Sequence, residues 1–180
     1  MGKILVHEFA TLDGVIDAPT WTMDFGFDPK MGGAIGELTS RCEAILLGRT
    51  TYEMFAPVWS QRTAEDDPGA PFFNDTPKHV VSSTLKETTW KNTEIVDYGA
   101  ISGLKERIDG GIYVSGSGTL VRAMLANGLV DKLHLFVYPT LRGDGPRLHG
   151  ESAPVDLRLE RCDQYENGVL YLVYGAPSGG

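Results

Sequence analysis

The chain has 180 residues, of which 42% are hydrophobic and 22% are charged, and its formal net charge is −8. A chain of this length can bury a full hydrophobic core without disulfides or metals. Its negative charge argues against nonspecific nucleic-acid binding, which needs clustered lysine and arginine. The two cysteines and four histidines show no metal-ligand spacing, and no apolar run approaches the ~20 residues of a membrane span. We therefore expect one domain over residues 1–176 with a loose tail at 177–180, located in the cytoplasm, without a metal, nucleic-acid or membrane partner.

The first half of the chain alternates predicted strands with predicted helices, as judged from apolar runs and from apolar residues at helical spacing. In chain order we predict a strand at 3–9, a turn at 12–14, a long loop at 17–30, a helix at 31–41, a strand at 42–47 and a helix from Thr50. The loop is rich in aromatic residues, so it either covers a site or packs on the core. Thr50 and Glu53 match the S/T-x-x-E pattern, which predicts that the Thr50 side chain caps its helix.

The second half begins with an interruption and then returns to the same alternation. Residues 61–77 are polar and contain several prolines, which predicts an exposed excursion. We then predict strands at 78–82 and 94–97, a helix at 100–108, a strand at 112–114, a helix at 120–126 and strands at 132–138, 156–165 and 169–174. Asn167-Gly168 predicts a tight hairpin between the last two strands. The alternation predicts an α/β fold with a mainly parallel sheet, helices on both faces and a C-terminal antiparallel hairpin.

Small and hydroxyl-bearing residues follow several of the predicted strands. Gly48-Arg49-Thr50-Thr51, Ser82-Ser83-Thr84 and Gly116-Ser117-Gly118-Thr119 each come directly after a strand, and Asp13 follows the first strand. The C-terminal ends of parallel strands meet at one edge of a sheet, where ligands collect. Backbone N–H groups at a helix N-terminus and an arginine beside them both suit a phosphate. The sequence therefore predicts an anion site at this edge, with plain turns and helix caps as the alternative.

Five motifs occur in a fixed order along the chain, at residues 11–14, 44–53, 80–85, 113–120 and 131–145. In this order they resemble the dihydrofolate reductase-like superfamily, and more closely the reductase domain of bacterial riboflavin-biosynthesis deaminase/reductases and their stand-alone relatives. The resemblance implies a three-layer dihydrofolate reductase-like fold, NADPH as the hydride donor and a homodimer. One difference is Ser117, which stands where the family loop often has the second of two adjacent glycines.

The resemblance also implies roles for individual residues. The cofactor would contact Ile16 at the nicotinamide, Gly48, Arg49, Thr50 and Thr51 at the phosphates, Ser82, Ser83 and Thr84 at the adenosine 2′-phosphate, and Gly116, Ser117, Gly118, Thr119 and Leu120 at the pyrophosphate. The candidate proton donors are Asp13 and Asp24, with Asp28 as a third, and each could instead be a structural carboxylate of a loop or turn.

These observations support two kinds of function. The first is an NADPH-dependent reductase of a small heterocycle, similar to a pteridine or pyrimidine, in which the 17–30 loop excludes water and a carboxylic acid supplies a proton. The second is a non-catalytic protein on the same fold, either a nucleotide-binding protein or a structural homodimer, because fold alone does not establish function.

Overall fold

The computed structural model describes residues 1–16, 19–150 and 153–177. Its strands are β1 (Lys3–Thr11), β2 (Cys42–Gly48), β3 (Lys78–Val81), β4 (Thr93–Val96), β5 (Gly111–Ser115), β6 (Lys132–Tyr138), β7 (Arg158–Gln164) and β8 (Leu170–Gly175). Its helices are α1 (Pro29–Thr39), α2 (Arg49–Trp59), α3 (Ala70–Asp75), α4 (Ile101–Arg107) and α5 (Gly118–Ala126), with short 3-10 helices at Thr20–Phe25 and Tyr98–Ala100. The predicted strands are all present, with small differences in their bounds.

The strands form one sheet in the order β4-β3-β2-β5-β1-β6-β8-β7. Neighbouring strands from β4 to β6 run parallel, whereas β8 is antiparallel to both β6 and β7. This arrangement confirms the predicted α/β fold with a mainly parallel sheet and a C-terminal antiparallel hairpin. Because β1, β2, β3, β5 and β6 share one direction, their carboxyl ends lie at the same edge of the sheet.

Helices cover both faces of the sheet. On one face, α4 and α5 pack their apolar residues against alternate side chains of the central strands, including Ile101, Leu104, Val121, Met124, Ile4 and Val6. On the other face, α1, α2 and α3 contribute to the core with Leu38, Tyr52, Ala56 and Phe73. The central strands are therefore buried on both sides, which explains why they are near-continuous apolar runs in the sequence.

Helix α3 contradicts the prediction of an exposed excursion over residues 61–77. Phe73 is buried and its ring stacks on Trp59 with 4.2 Å between centroids. The buried Lys78 ammonium donates hydrogen bonds of 2.8 Å to the carbonyls of Phe73 and Thr76 at the end of this helix. The sequence pattern failed here because a one-turn apolar contact inside a polar, proline-containing segment has no periodicity to detect.

The described part of the 17–30 loop, from Pro19 onward, packs on the core, as one of the two predicted alternatives required. Trp21 is buried, and its ring lies 5.2 Å from that of Tyr138 at the end of β6. Asp17 and Ala18 lie outside the described residues, as do residues 178–180 of the predicted 177–180 tail.

Candidate functional site

The structure brings the strand-end stretches together at the carboxyl edge of the sheet. Gly48 ends β2 and Ser115 ends β5, and these two strands are neighbours at the centre of the sheet. The 82–84 stretch follows β3, beside β2, and Asp13 follows β1, beside β5. The edge therefore presents all of the stretches that the sequence analysis identified.

Ser117 joins the two central stretches through hydrogen bonds in both directions. The backbone N–H of Gly48 donates to Ser117 Oγ at 2.9 Å, and the backbone N–H of Ser117 donates to Thr51 Oγ1 at 2.9 Å. Gly116 and Ser117 both have left-handed backbone conformations, with φ of 58° and 61°. The serine is therefore accommodated in the loop and ties it to the start of α2.

Helices α2 and α5 both begin at this edge, with Gly48 and Ser117 as their N-cap residues. Among the residues that the structure describes, no side-chain hydrogen bond caps the start of either helix. The predicted Thr50 capping box is wrong, because the helix starts at Arg49, which places Thr50 inside the first turn. The uncapped N–H groups and the helix dipoles make both starts suitable for an anion.

Arg49 lies between the α2 N-terminus and the loop after β3. Its guanidinium donates to Thr84 Oγ1 at 2.7 Å and to Glu53 Oε1 at 2.7 Å, and the side chain is about half exposed. Ser82 Oγ accepts the backbone N–H groups of Thr84 and Leu85. The arrangement places one cation and the exposed hydroxyl-bearing residues Ser83 and Thr84 where a phosphate could reach them, with Glu53 as a competing anion.

Ile16 lies beside Gly118, at the start of α5. Its side chain is buried, and a Cβ added to Gly118 would lie only 2.9 Å from Ile16 Cδ1. Its backbone N–H donates to the Pro146 carbonyl at 3.0 Å. A side chain at position 118 would therefore require the end of the Ile16 side chain to move.

Asp13 holds the loop that follows β6. Its carboxylate accepts hydrogen bonds from Thr11 Oγ1 at 2.5 Å and from the backbone N–H groups of Gly143 and Arg142. These hydrogen bonds, with Thr11 contributing most, lower the pKa of Asp13 to about 2. The group is therefore ionised near neutral pH, which favours a structural role for Asp13.

The other two candidate acids are Asp24, in the 3-10 helix Thr20–Phe25, and Asp28, at the N-terminus of α1. Asp24 is 72% exposed, with its carboxylate 3.6 Å from the Arg142 guanidinium. Asp28 caps α1 by accepting the Lys30 backbone N–H at 2.9 Å, and it also accepts that of Glu166. Asp28 thus has structural partners, and Asp24 is the more exposed of these two carboxylates.

Two buried titratable residues of β1 were missed because the strand was interpreted as an apolar run. Burial raises the pKa of the Glu8 carboxyl well above its ordinary value, although Arg122 partly opposes this, and Glu8 Oε1 has no hydrogen-bond partner within the described structure. His7 shares a 2.7 Å hydrogen bond through Nδ1 with the Tyr113 hydroxyl. Burial lowers the pKa of His7 to about 3. A charged residue inside an apolar strand is the signal that could have identified both.

Within the described ranges, no helix has the length and apolar character needed to cross a membrane. Among the same residues, no group of three or more histidine, cysteine or acidic side chains is arranged to hold a metal ion.

A family model described as the RibD C-terminal domain matches residues 2–171. Among solved structures, the chain is similar to a riboflavin biosynthesis protein from Shewanella sp. PV-4, with 19% identity, a TM-score of 0.79 and coverage of 98% of this chain and 99% of that one. A pyrimidine reductase-like protein from Corynebacterium diphtheriae matches at 16% identity and a TM-score of 0.68, covering 99% and 93% of the two chains.

A third structure is a diaminohydroxyphosphoribosylaminopyrimidine deaminase/5-amino-6-(5-phosphoribosylamino)uracil reductase from Thermotoga maritima. It matches at 18% identity and a TM-score of 0.68, and the alignment covers 98% of this chain but 57% of that chain. At these identities the likeness to solved structures establishes the fold. No curated protein matches the chain.

Proposed function

The chain belongs to the RibD C-terminal domain family, and from this membership we propose that it is an NADPH-dependent reductase of a small, pyrimidine-type heterocycle. The observation that carries the nucleotide part of the proposal is the pair of uncapped helix N-termini, α2 and α5, joined through Ser117 at the carboxyl edge of the sheet. The names of the Corynebacterium and Thermotoga structures support the substrate class.

The residues at this edge fit a dinucleotide that carries several phosphates. The N–H groups that begin α5, at Gly118, Thr119 and Leu120, would hold the pyrophosphate. Arg49 and the hydroxyls of the 82–84 stretch would hold the adenosine 2′-phosphate, which is the reason to expect NADPH rather than NADH. When bound, the cofactor would supply a hydride to the substrate. Ile16 would exclude water from that end of the site.

A hydride transfer to a carbonyl or imine group also needs a proton. Asp13 and Asp24 are the candidate donors, and the low pKa of Asp13 favours Asp24. The exposure of Asp24 and its loose pairing with Arg142 would allow it to approach a substrate.

The second candidate function is nucleotide binding without reduction. The state of the two candidate acids favours this alternative. The hydrogen bonds of Asp13 keep its carboxylate ionised, and Asp24 is mostly exposed to solvent. Loss of nicotinamide absorbance on mixing the protein, NADPH and 5-amino-6-(5-phosphoribosylamino)uracil would support the reductase. Cofactor binding without turnover of this or related heterocycles would support the binding protein.

The cofactor proposal is tested by thermal denaturation with NADPH and with NADH. A ligand at about 100 times its dissociation constant stabilises by about 2.7 kcal/mol, which at this chain length raises the Tm by roughly 5–10 °C. We expect a shift with NADPH that Arg49→Ala reduces. The matched control is Arg62→Ala, which removes an exposed arginine paired with Asp67. No shift with either cofactor would contradict the proposal.

The homodimer stays a prediction of the family resemblance, and the cytoplasmic location stays a prediction from the composition of the chain. Sedimentation at micromolar protein concentration tests the first, and a monomer throughout would contradict it.

A further inference from the structure

A cavity of about 500 Å³ lies far from the candidate nucleotide site, at the amino ends of the parallel strands. It lies between α1, the first residues of β1, β5 and β6, and the hairpin of β7 and β8, and it is partly open to solvent. Its size falls within the range of small-molecule sites in proteins. The lining includes Lys3, Leu5, Leu38, Lys132, His134 and Val173. No residue of this lining belongs to the candidate nucleotide site, so any ligand here would bind independently.

The cavity exists because α1 presents a small side chain to the sheet at this level. Ala34 is buried and lines both this cavity and an adjoining one of about 410 Å³. One turn earlier, Met31 is fully buried in the same cluster as Phe136 and closes the space between helix and sheet. The shorter side chain of Ala34 fills less of this space, and both cavities lie against it.

The charged side chains around the cavity include one more cation than carboxylates, in a chain whose formal net charge is −8. The cations are Lys3, Arg41, Lys132 and Arg161, and the carboxylates are Glu37, Asp109 and Glu160. Both arginines pair with Glu37, and Lys132 pairs with Glu160. The Asp109 carboxylate lies 3.6 Å from the amino group of Met1. Lys3 makes no ion pair with any residue that the structure describes, so its ammonium group is available to an anion.

His134 lies on the cavity wall, and the surrounding positive charges contribute to lowering the pKa of its imidazole. The pKa of its imidazole is lowered to about 4, first by burial and then by the charges of Lys132, Arg161 and Arg41, with Glu160 opposing them. The imidazole shares a 2.7 Å hydrogen bond through Nδ1 with the Tyr171 hydroxyl. This part of the wall therefore consists of the neutral side chains of His134 and Tyr171, with positive charges around them.

The part of the lining contributed by Leu5, Leu38 and Val173 is apolar. We propose that this cavity binds a small aromatic carboxylate, with the ring against these apolar side chains and the carboxylate on the Lys3 ammonium. The apolar lining favours burial of the ring, and the unpaired lysine selects a negative charge over a neutral polar group.

Isothermal titration calorimetry at low ionic strength with 2-naphthoate, and with 2-naphthamide as its uncharged counterpart, tests the proposal. We expect saturable binding of 2-naphthoate with a Kd of about 1 mM or tighter, and at least about tenfold weaker binding of 2-naphthamide. Lys3→Met should weaken 2-naphthoate binding about tenfold, which corresponds to ~1.4 kcal/mol. Lys91→Met is the matched control, since this exposed lysine pairs with Asp75 on another part of the surface, and it should bind as the wild type does.

A second variant, Ala34→Leu, fills the gap from the helix side and should abolish binding while the far-ultraviolet circular dichroism stays native. Absence of saturable binding at about 10 mM 2-naphthoate, equal affinity for the amide, or unchanged affinity in Lys3→Met would each overturn the proposal. So would hydrogen exchange showing that a second copy of the chain covers this cavity in solution. The NADPH-induced Tm shift should be unchanged in Lys3→Met, so failure here leaves the reductase proposal separately testable.

Discussion

Replacement of Ser117 separates two opposing contributions to the stability of the loop between β5 and α5. The residue has φ 61° and ψ 38°, a left-handed conformation that costs a non-glycine residue roughly 1–2 kcal/mol. Its Oγ accepts the Gly48 backbone N–H at 2.9 Å in a partly buried setting. Leaving a buried donor unsatisfied costs about 1–3 kcal/mol. The hydrogen bond therefore offsets the backbone strain.

Two substitutions at this position have different expected effects. Ser117→Ala removes the hydrogen bond and keeps the strain, so we expect a loss of about 1–2 kcal/mol. Ser117→Gly removes the same hydrogen bond but relieves about 1 kcal/mol of strain, so its stability should stay within about 1 kcal/mol of the wild type. The alanine variant should therefore be the less stable of the two, with a Tm lower by roughly 2–4 °C.

Urea denaturation followed by circular dichroism, together with thermal denaturation, measures both differences. Ser83→Ala is the control, because Ser83 is exposed in the neighbouring stretch and a surface change of this kind shifts stability by about 0.5 kcal/mol or less. If Ser117→Ala were as stable as Ser117→Gly, the strain would be absent and the explanation of this loop would be refuted.

Three further substitutions test other parts of the structure. The raised pKa of Glu8 means that the folded state binds its proton more tightly than the unfolded state does, so stability should fall as pH rises above about 4.5; Glu8→Gln should remove that fall, and equal pH slopes in urea denaturation would contradict it. The lowered pKa of Asp13 contributes stability that is present above the ordinary pKa of 3.8 and is lost as pH falls through about 2; Asp13→Asn should abolish this acid-side dependence in thermal denaturation from pH 5 to 2. Phe73→Ala should destabilise by about 3 kcal/mol or more, and a loss below about 1 kcal/mol in urea denaturation would show that α3 does not pack as described.

The sequence of strands and helices along the chain, and the mainly parallel character of the sheet, followed closely from local patterns. Periodicity and turn chemistry are local properties that a few neighbouring residues show. They predicted the strand β2, the helix α5 and the Asn167-Gly168 turn. The convergence of the strand-end stretches at one edge also followed, since parallel strands oblige their carboxyl ends to meet.

Contacts between segments that are distant in the chain could not be predicted from local sequence patterns. The hydrogen bond between the Gly48 backbone N–H and Ser117 Oγ joins residues far apart in the chain. The burial of Phe73 depends on Trp59 lying beside it. The partners of Asp13 come from the loop after β6, and they lower its pKa to about 2. The chemical state of a carboxyl depends on such partners and on its burial, neither of which is written in its sequence neighbours.

The sequence by itself determined the α/β class, the edge at which the candidate site forms and the residue types available there, because these depend on local pattern and on the direction of parallel strands. Tertiary structure alone decided that Asp13 holds a loop, that Glu8 is buried in β1, that Ser117 links two helix starts, and that a cavity opens beneath Ala34. Each of those outcomes depends on which side chains meet across the fold and on how completely they fill the space between a helix and the sheet.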